Sequence, residues 1–475
     1  MYDVVVIGGG VVGGLILREL TKYELSVCML EKEDDVCMGA SKANSGIVHA
    51  GYDAPTGSLK AKFNLLGNQM MEPLCRDLGV KFVRNGSLVV AFSQEDVETL
   101  HTLKTRGEAN GVTGMEIITK DRLQTIEPNI SEEGIAALYA KTAGTVCPYT
   151  LTIAAIGNAM DNGAKLHTEF EVVSVKEKAV GYVLQAQDGR TVEGKVVVNA
   201  SGLHGGEIAR LVGDDIRIGG RKGEYILLDR ESKDFISHTL FFTPTKKGKG
   251  ILVTRTVDGN LLFGPTAEEV ENGDRQTSAQ GIAFVQECAA KMCKNPPFHT
   301  TITSFAGVRA FSSKHDFIVE ESKSKKGFFH CIGIESPGLT AAPALAKYVV
   351  EELISTRLPL KSNPDFDGKR APDYFFKDLD ESSQSALIKK DPTYGKIVCR
   401  CEGITEGEIL RAIHENPPAK DIDGIKRRTR AGMGRCQGGF CQPQVLGLIA
   451  KERGIPSTKV TKKGGASYLL EGVTK

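Results

Sequence analysis

Asp3-Val-Val-Val-Ile-Gly-Gly-Gly-Val-Val-Gly13 joins a short apolar run to a glycine-rich turn. The apolar run has the length of a buried strand. Gly8, Gly10 and Gly13 fit the spacing G-x-G-x-x-G, and Val11 and Val12 open a helical pattern continued by Leu15, Ile16 and Leu20. A second apolar run, Ser26–Leu30, ends at Glu31. In such a unit the first glycine permits a tight turn, the second lets backbone approach a pyrophosphate, and the third lets helix pack on strand. The helix N-terminus then offers free N–H groups and a positive dipole end to phosphate. Glu31 is placed to accept hydrogen bonds from a ribose diol and to repel a 2′-phosphate. The stretch predicts a dinucleotide site on an α/β, Rossmann-type domain.

Soon after Glu31 and Lys32 comes a small, polar segment, Gly39-Ala-Ser-Lys-Ala-Asn-Ser-Gly-Ile-Val-His-Ala-Gly51. A nicotinamide domain would continue here with further strand–helix units. On these residues the chain resembles the D-amino-acid oxidase and glycerol-3-phosphate dehydrogenase superfamily of FAD enzymes. Asn44–Gly51 is worded most like the L-2-hydroxyglutarate oxidase branch. The resemblance favours FAD over NAD, and it implies that Lys32, Ala40, Ser41, Asn44, Ser45 and Gly46 contact the cofactor.

At 475 residues the chain exceeds one ordinary core, so two or three domains are expected. Hydrophobic content of 41% and a formal charge of +1 give no reason to expect a nucleic-acid partner. No apolar run approaches the roughly 20 residues of a bilayer span. The fold signal starts at Tyr2, so we expect no targeting peptide and a cytoplasmic protein, with peripheral attachment to the inner face of the membrane through partners as the variant. In that reducing compartment, clustered members among the 11 cysteines suggest metal or redox chemistry. Cys28, Cys37, Cys75, Cys147, Cys288, Cys293 and Cys331 are scattered and read as structural thiols.

Leu59, Phe63, Leu66, Met70 and Leu74 predict a helix within 55–79. Lys81–Arg84 and Ser87–Phe92 predict a hairpin about Asn85-Gly86. A helix at Gln94–Asn110 follows. Gly144-Thr-Val-Cys-Pro148 leads into another, with Thr150 or Thr152 as cap, and resembles a segment of glycerol-3-phosphate dehydrogenases. Strands are expected at Leu166–Ser174, Tyr182–Gln187 and Lys195–Ala200. The resemblance places Val172, Ala200, Ser201 and Gly202 against the cofactor. Short strands between 216 and 303 suit an antiparallel sheet roofing the flavin. Arg255 and Arg309 resemble arginines that superfamily members aim at a substrate carboxylate or phosphate, where a planar guanidinium makes paired bonds to the anion. Lys222 and Tyr225 are weaker candidates from the same roof. A strand at Phe328–Glu335 then runs into Ser336-Pro-Gly-Leu-Thr340, which opens a helix over 341–353. In the superfamily this helix end, here Pro337, Gly338, Leu339 and Thr340, points at the flavin.

Pro359, Pro364, Pro372 and Pro392 mark a linker or strap over 357–396. Beyond it, Cys399-Arg-Cys401-Glu402 and Cys436-Gln-Gly-Gly-Phe-Cys441 set four cysteines as C-x-C and C-x4-C, separated by helical patterns. Two thiolate pairs can ligate a soft metal; a 2Fe-2S cluster and a structural zinc both accept four thiolates. With Arg427-Arg-Thr-Arg-Ala-Gly-Met-Gly434 between them, they resemble the bacterioferritin-associated-ferredoxin module, which also ends the large subunit of anaerobic glycerol-3-phosphate dehydrogenase. The resemblance implies 2Fe-2S held by Cys399, Cys401, Cys436 and Cys441.

The reading is therefore a Rossmann-type FAD domain (1–80, 140–215, 304–356), an antiparallel α+β substrate domain (81–139, 216–303), and a small helical 2Fe-2S domain (397–475). A small anionic secondary alcohol would lose a hydride to the flavin, with His49 as the base, Arg255 and Arg309 on the anion, and an acceptor protein or partner subunits taking the electrons. sn-Glycerol 3-phosphate is the preferred substrate and L-2-hydroxyglutarate the alternative. A non-catalytic electron-transfer subunit is the alternative of another class.

Overall fold

The computed structural model describes residues 1–244, 250–271, 273–371 and 375–472; Pro372 and the last three residues of the C-terminal segment lie outside them. The opening stretch forms the strand Tyr2–Ile7, the helix Val11–Leu20 and the strand Val27–Leu30. Tyr2–Ile7 is central in a sheet whose parallel core runs Lys165–His167, Val27–Leu30, Tyr2–Ile7, Thr191–Asn199, Phe328–Ile332. Val4, Val5 and Val6 are fully buried. Burial on both faces is why such strands read as continuous apolar runs rather than alternations. Helices pack against one side of this sheet and against one another at short range. Gly14 leaves room for Ile156 of the helix Pro148–Asp161, and Gly67 of Leu59–Asp77 leaves room for the carbonyl of Thr340 on Gly338–Tyr348. A Cβ at Gly67 would stand 1.9 Å from that oxygen.

The second sheet has nine strands and roofs the first domain. Its longest pairing is antiparallel, Ile218–Leu228 against Thr301–Ser312. The expected boundary at 303/304 falls inside this strand, because Thr301–Ser312 pairs with the roof before the chain returns to the parallel sheet. The roof is antiparallel except where Thr239–Phe242 lies parallel to Ser87–Ala91.

That parallel pair goes with a second correction, the hairpin about Asn85-Gly86. Gly86 turns with φ +69, yet Phe82–Val83 pairs with Gly144–Val146 in a small separate sheet, while Ser87–Ala91 joins the roof. The Gly86 N–H goes to the Ala143 carbonyl, so the turn passes the chain between two sheets. Thr150 and Thr152 do not cap their helix either. Cys147 is the cap residue with Pro148 first in the helix, and the Thr152 hydroxyl donates back to the Pro148 carbonyl.

Residues 357–371 and 375–396 form a strap. Glu24 donates its N–H to the Lys361 carbonyl, Asn158 reaches the Asp367 carbonyl, and Phe375, Phe376 and Tyr394 are buried on the way to the C-terminal module. That module packs the helices Glu406–His414, Ile422–Thr429 and Gln442–Arg453 around Ile409, Ile425 and Ile449. Its first helix opens on a capping box between Thr405 and Glu408.

Candidate functional site

A cavity of about 1130 Å³ runs from the glycine turn to the underside of the roof. At its nucleotide end the glycines divide their tasks. Gly8 has φ +109, and a Cβ there would lie 2.5 Å from the Ala200 carbonyl oxygen. A Cβ on Gly13 would lie 2.1 Å from the Gly8 oxygen, so Gly13 serves packing and stands behind the wall. Gly10 faces the cavity with Val11 and Val12, and a Cβ there would meet only the Ser41 hydroxyl, at 3.3 Å. Glu31 takes the Gly9 N–H at 2.6 Å and the Glu33 N–H at 3.0 Å. Burial raises its pKa, and those two N–H groups oppose the rise. Lys32, with its amine 3.1 Å from His204 Nε2, Val172, Ala200, Ser201 and Gly202 complete this end.

The segment after Glu31 closes over the middle of the cavity. Ser41 Oγ accepts the Val11 N–H at 2.9 Å. The Asn44 side chain donates to the Ala40 and Ser41 carbonyls and accepts the Gly46 N–H, so its amide fixes the loop. Ala40, Asn44 and Ser45 line the cavity. Gly46 sits behind them with φ +67, where a Cβ would strike the Val146 carbonyl. On the other side a Cβ at Gly307 would stand 1.9 Å from the Ala43 oxygen, so the loop is wedged under the roof.

His49 lines the cavity where loop, roof and helix start converge. Its N–H donates to Thr340 Oγ1 at 2.9 Å, and its carbonyl accepts from Asn64 and Asn68. With the backbone held at three points, its ring packs 5.8 Å from Phe241 and its Nε2 stands 3.5 Å from Ser336 Oγ. Pro337 caps the helix, and Gly338 and Leu339 line the cavity beside it. Thr340 is fully buried and holds His49 rather than facing the cavity.

In the roof, cross-strand register decides which side chains look down. Arg309 lies opposite Arg221, and Phe305 opposite Tyr225, all on one face. Arg309 donates to the Thr266 carbonyl at 3.3 Å, and among the described residues its buried Nε has no partner. Arg255 is a correction. It is not in the cavity wall, and its guanidinium donates to the Lys233 carbonyl at the strand's outer end. Lys222, one residue out of phase with Arg221, is turned away and paired with Asp274, Glu268 and Glu224. Tyr225 does face the cavity, stacked on Phe305 at 4.9 Å. Arg221, Lys60, Glu335 and Ser336 also line the wall and escaped the sequence reading. Lys60 and Arg221 share the Glu335 carboxylate at 2.7 and 3.3 Å. Only sheet register and the approach of the helix Leu59–Asp77 bring them together.

The four C-terminal cysteines stand as two contacting pairs, and among the described residues no three of them are grouped as metal ligands. Cys401 and Cys436 sulfurs are 3.6 Å apart, and Cys399 and Cys441 are hydrogen-bonded to each other. The Cys441 contact lowers the pKa of the Cys399 thiol, and the backbone N–H groups of Gly432 and Glu402 support its thiolate. The seven scattered cysteines are buried except Cys288, and none forms a disulfide. Burial pushes Cys28 and Cys75 up to about 12, which leaves them inert.

Residues 3–352 match the FAD dependent oxidoreductase (DAO) family, and 397–451 match the BFD-like [2Fe-2S] binding domain. The chain belongs to the DAO family of FAD-dependent oxidoreductases and carries a [2Fe-2S] module. It is 45% identical to a glycerol 3-phosphate dehydrogenase of Caloramator mitchellensis, over 100% of this chain and 99% of that one. Over 56% of its length it is 30% identical to 64% of the L-2-hydroxyglutarate dehydrogenase of Escherichia coli. Its fold matches the FAD-bound L-alpha-glycerophosphate oxidase of Mycoplasma pneumoniae with a TM-score of 0.74 at 28% identity, covering 78% of this chain and 98% of that one. The residues present fit the cofactors these families use: an open cradle at Gly10, an acid at the ribose end, a cavity long enough for a dinucleotide, and thiols in two pairs. FAD and [2Fe-2S] are its cofactors. Among the described residues no helix is long and apolar enough to cross a membrane.

Proposed function

We propose that the chain oxidises sn-glycerol 3-phosphate to dihydroxyacetone phosphate. The observation that carries this reading is Arg309: its guanidinium lines the cavity on the roof face it shares with Tyr225, anchored on the Thr266 carbonyl. A phosphate oxygen in the cavity would meet that guanidinium with a charge-assisted bond. The full-length likeness to a glycerol 3-phosphate dehydrogenase supports a phosphate over a carboxylate. Bound FAD supplies the hydride acceptor and the cluster a one-electron outlet.

The protein's own part is positioning and proton transfer. Arg309 anchors the anion and Tyr225 walls the space beside it. The C2 hydroxyl is then presented to His49, whose Nε2 takes the proton as the C2–H bond gives up its hydride. For this the ring must be neutral, with its hydrogen on Nδ1. Electrons leave to a separate acceptor protein or partner subunit, in the cytoplasm or at the inner face of the membrane.

An anaerobic substrate panel tests the reading by flavin bleaching. Glycerol 3-phosphate should bleach the flavin at micromolar to millimolar concentration. Bleaching by L-2-hydroxyglutarate alone would move the substrate to the 2-hydroxy acids. No bleaching by any anionic alcohol would leave an electron-transfer subunit.

A further inference from the structure

Between Glu31 and the loop that begins at Gly39 lies an irregular segment, Lys32–Met38, which forms one wall of the glycine turn. Val36 and Cys37 are fully buried, and Cys37 is left-handed at φ +63, a conformation its side chain disfavours. The segment touches the turn directly. The Cys37 N–H donates to the Gly9 carbonyl at 2.8 Å, and a Cβ at Gly9 would stand 3.3 Å from Val36 Cγ1.

What holds this segment comes from the far end of the chain. Asp35, 4% exposed, receives Arg428 as a two-pronged contact, each oxygen at 2.8 Å, and Arg427 at 2.5 Å. Both arginines lie on the helix Ile422–Thr429 of the cysteine module. Burial alone would raise the Asp35 pKa, but Arg428 and Arg427 overcome it and hold the carboxyl ionised. Gly424 of the same helix lets the carboxylate approach, since a Cβ there would lie 3.3 Å from Asp35 Oδ2. A second buried anchor of the module is Arg430, which binds Asp258 and Asn260 of the roof.

We propose that the iron–sulfur module latches the flavin site: Arg427 and Arg428, through Asp35, hold Lys32–Met38 against the glycine turn and slow release of FAD. Asp35 is a positioning residue, with two backbone links between it and Gly9. The proposal rests on FAD as the cofactor and is independent of which alcohol is oxidised.

The test follows release of FAD from diluted holoenzyme by the rise in flavin fluorescence, with cluster absorbance reporting that the module is intact. Asp35→Asn and Arg428→Gln should each speed release by about tenfold or more, equivalent to about 1.4 kcal/mol. The double variant should be no faster than the worse single, because both break one latch. Arg428→Lys keeps the charge without the fork and should fall between wild type and Arg428→Gln. This milder change also serves if Asp35→Asn does not fold. Asp258→Asn loosens the same module at its other anchor and should leave release within about twofold of wild type. Wild-type release from Asp35→Asn, or release from Asp258→Asn as fast as from Asp35→Asn, would overturn the latch.

Discussion

The two sheets reach the cavity by different routes. In the parallel sheet, the strands that carry the nucleotide end are joined by a local helix, and each side chain that matters sits at a strand end or a glycine turn. In the roof, Ser87–Ala91 lies beside Thr239–Phe242 and Ile218–Leu228 beside Thr301–Ser312, pairs distant in sequence whose register no local turn fixes. Arg255 and Arg309 illustrate the result. Each is an arginine in a strand of the same sheet, and either one suited an anion. Arg309 faces the cavity with a buried Nε that is unpartnered among the described residues, while Arg255 lies at the outer end of its strand. Position along a strand sets the face only once the pairing is known.

The largest effect expected on the nucleotide side is from Gly10→Val. The chain should still fold, because only the Ser41 hydroxyl lies near the new Cβ, but the side chain would occupy the pyrophosphate's place. The purified variant should contain no FAD; a yellow protein with normal flavin content would show that the turn is not the phosphate cradle. Next comes His49→Gln, which should lower kcat by roughly 10²–10⁴-fold while flavin content is kept. Turnover at the wild-type rate would assign the base elsewhere on the wall.

Cys399→Ser or Cys436→Ser should remove the cluster and its roughly two irons per chain. Flavin bleaching by substrate should survive in both, whereas delivery to a one-electron protein acceptor should slow sharply. Stoichiometric zinc in wild-type protein, or undiminished delivery without cluster, would make the module a structural clip. The roof pair gives the finest comparison. Arg309→Ala should weaken substrate binding by about 2–4 kcal/mol, with partial recovery in Arg309→Lys. Arg255→Ala should change KM and stability by no more than about 0.5 kcal/mol, as for other surface changes. Equal losses from both variants would erase the distinction between the two strands.

The departures from the sequence reading share this origin. Asn85-Gly86 carries good hairpin chemistry, yet partners from Gly144–Val146 and Thr239–Phe242 bind the two flanks more favourably than they bind each other. Asn44 lines the cavity, and its amide is used to shape the loop. Lys222 and Arg221 are adjacent in sequence and opposite in fate, since successive side chains on a strand point to opposite faces.

The sequence alone determined the dinucleotide unit and the cysteine module, because glycine at positions that tolerate no Cβ, an acid after the second strand, and closely spaced thiols are local chemical requirements. It also singled out His49 and the loop before it, which line the cavity. Only the tertiary structure decided which roof arginine faces the substrate, brought Lys60, Arg221 and Glu335 into one wall, and set Asp35 between Arg427 and Arg428 of a helix almost 400 residues away. The reason is physical. Contacts within a turn are fixed by backbone geometry over a few residues, whereas contacts between sheets and domains depend on register and packing among segments that share no local signal.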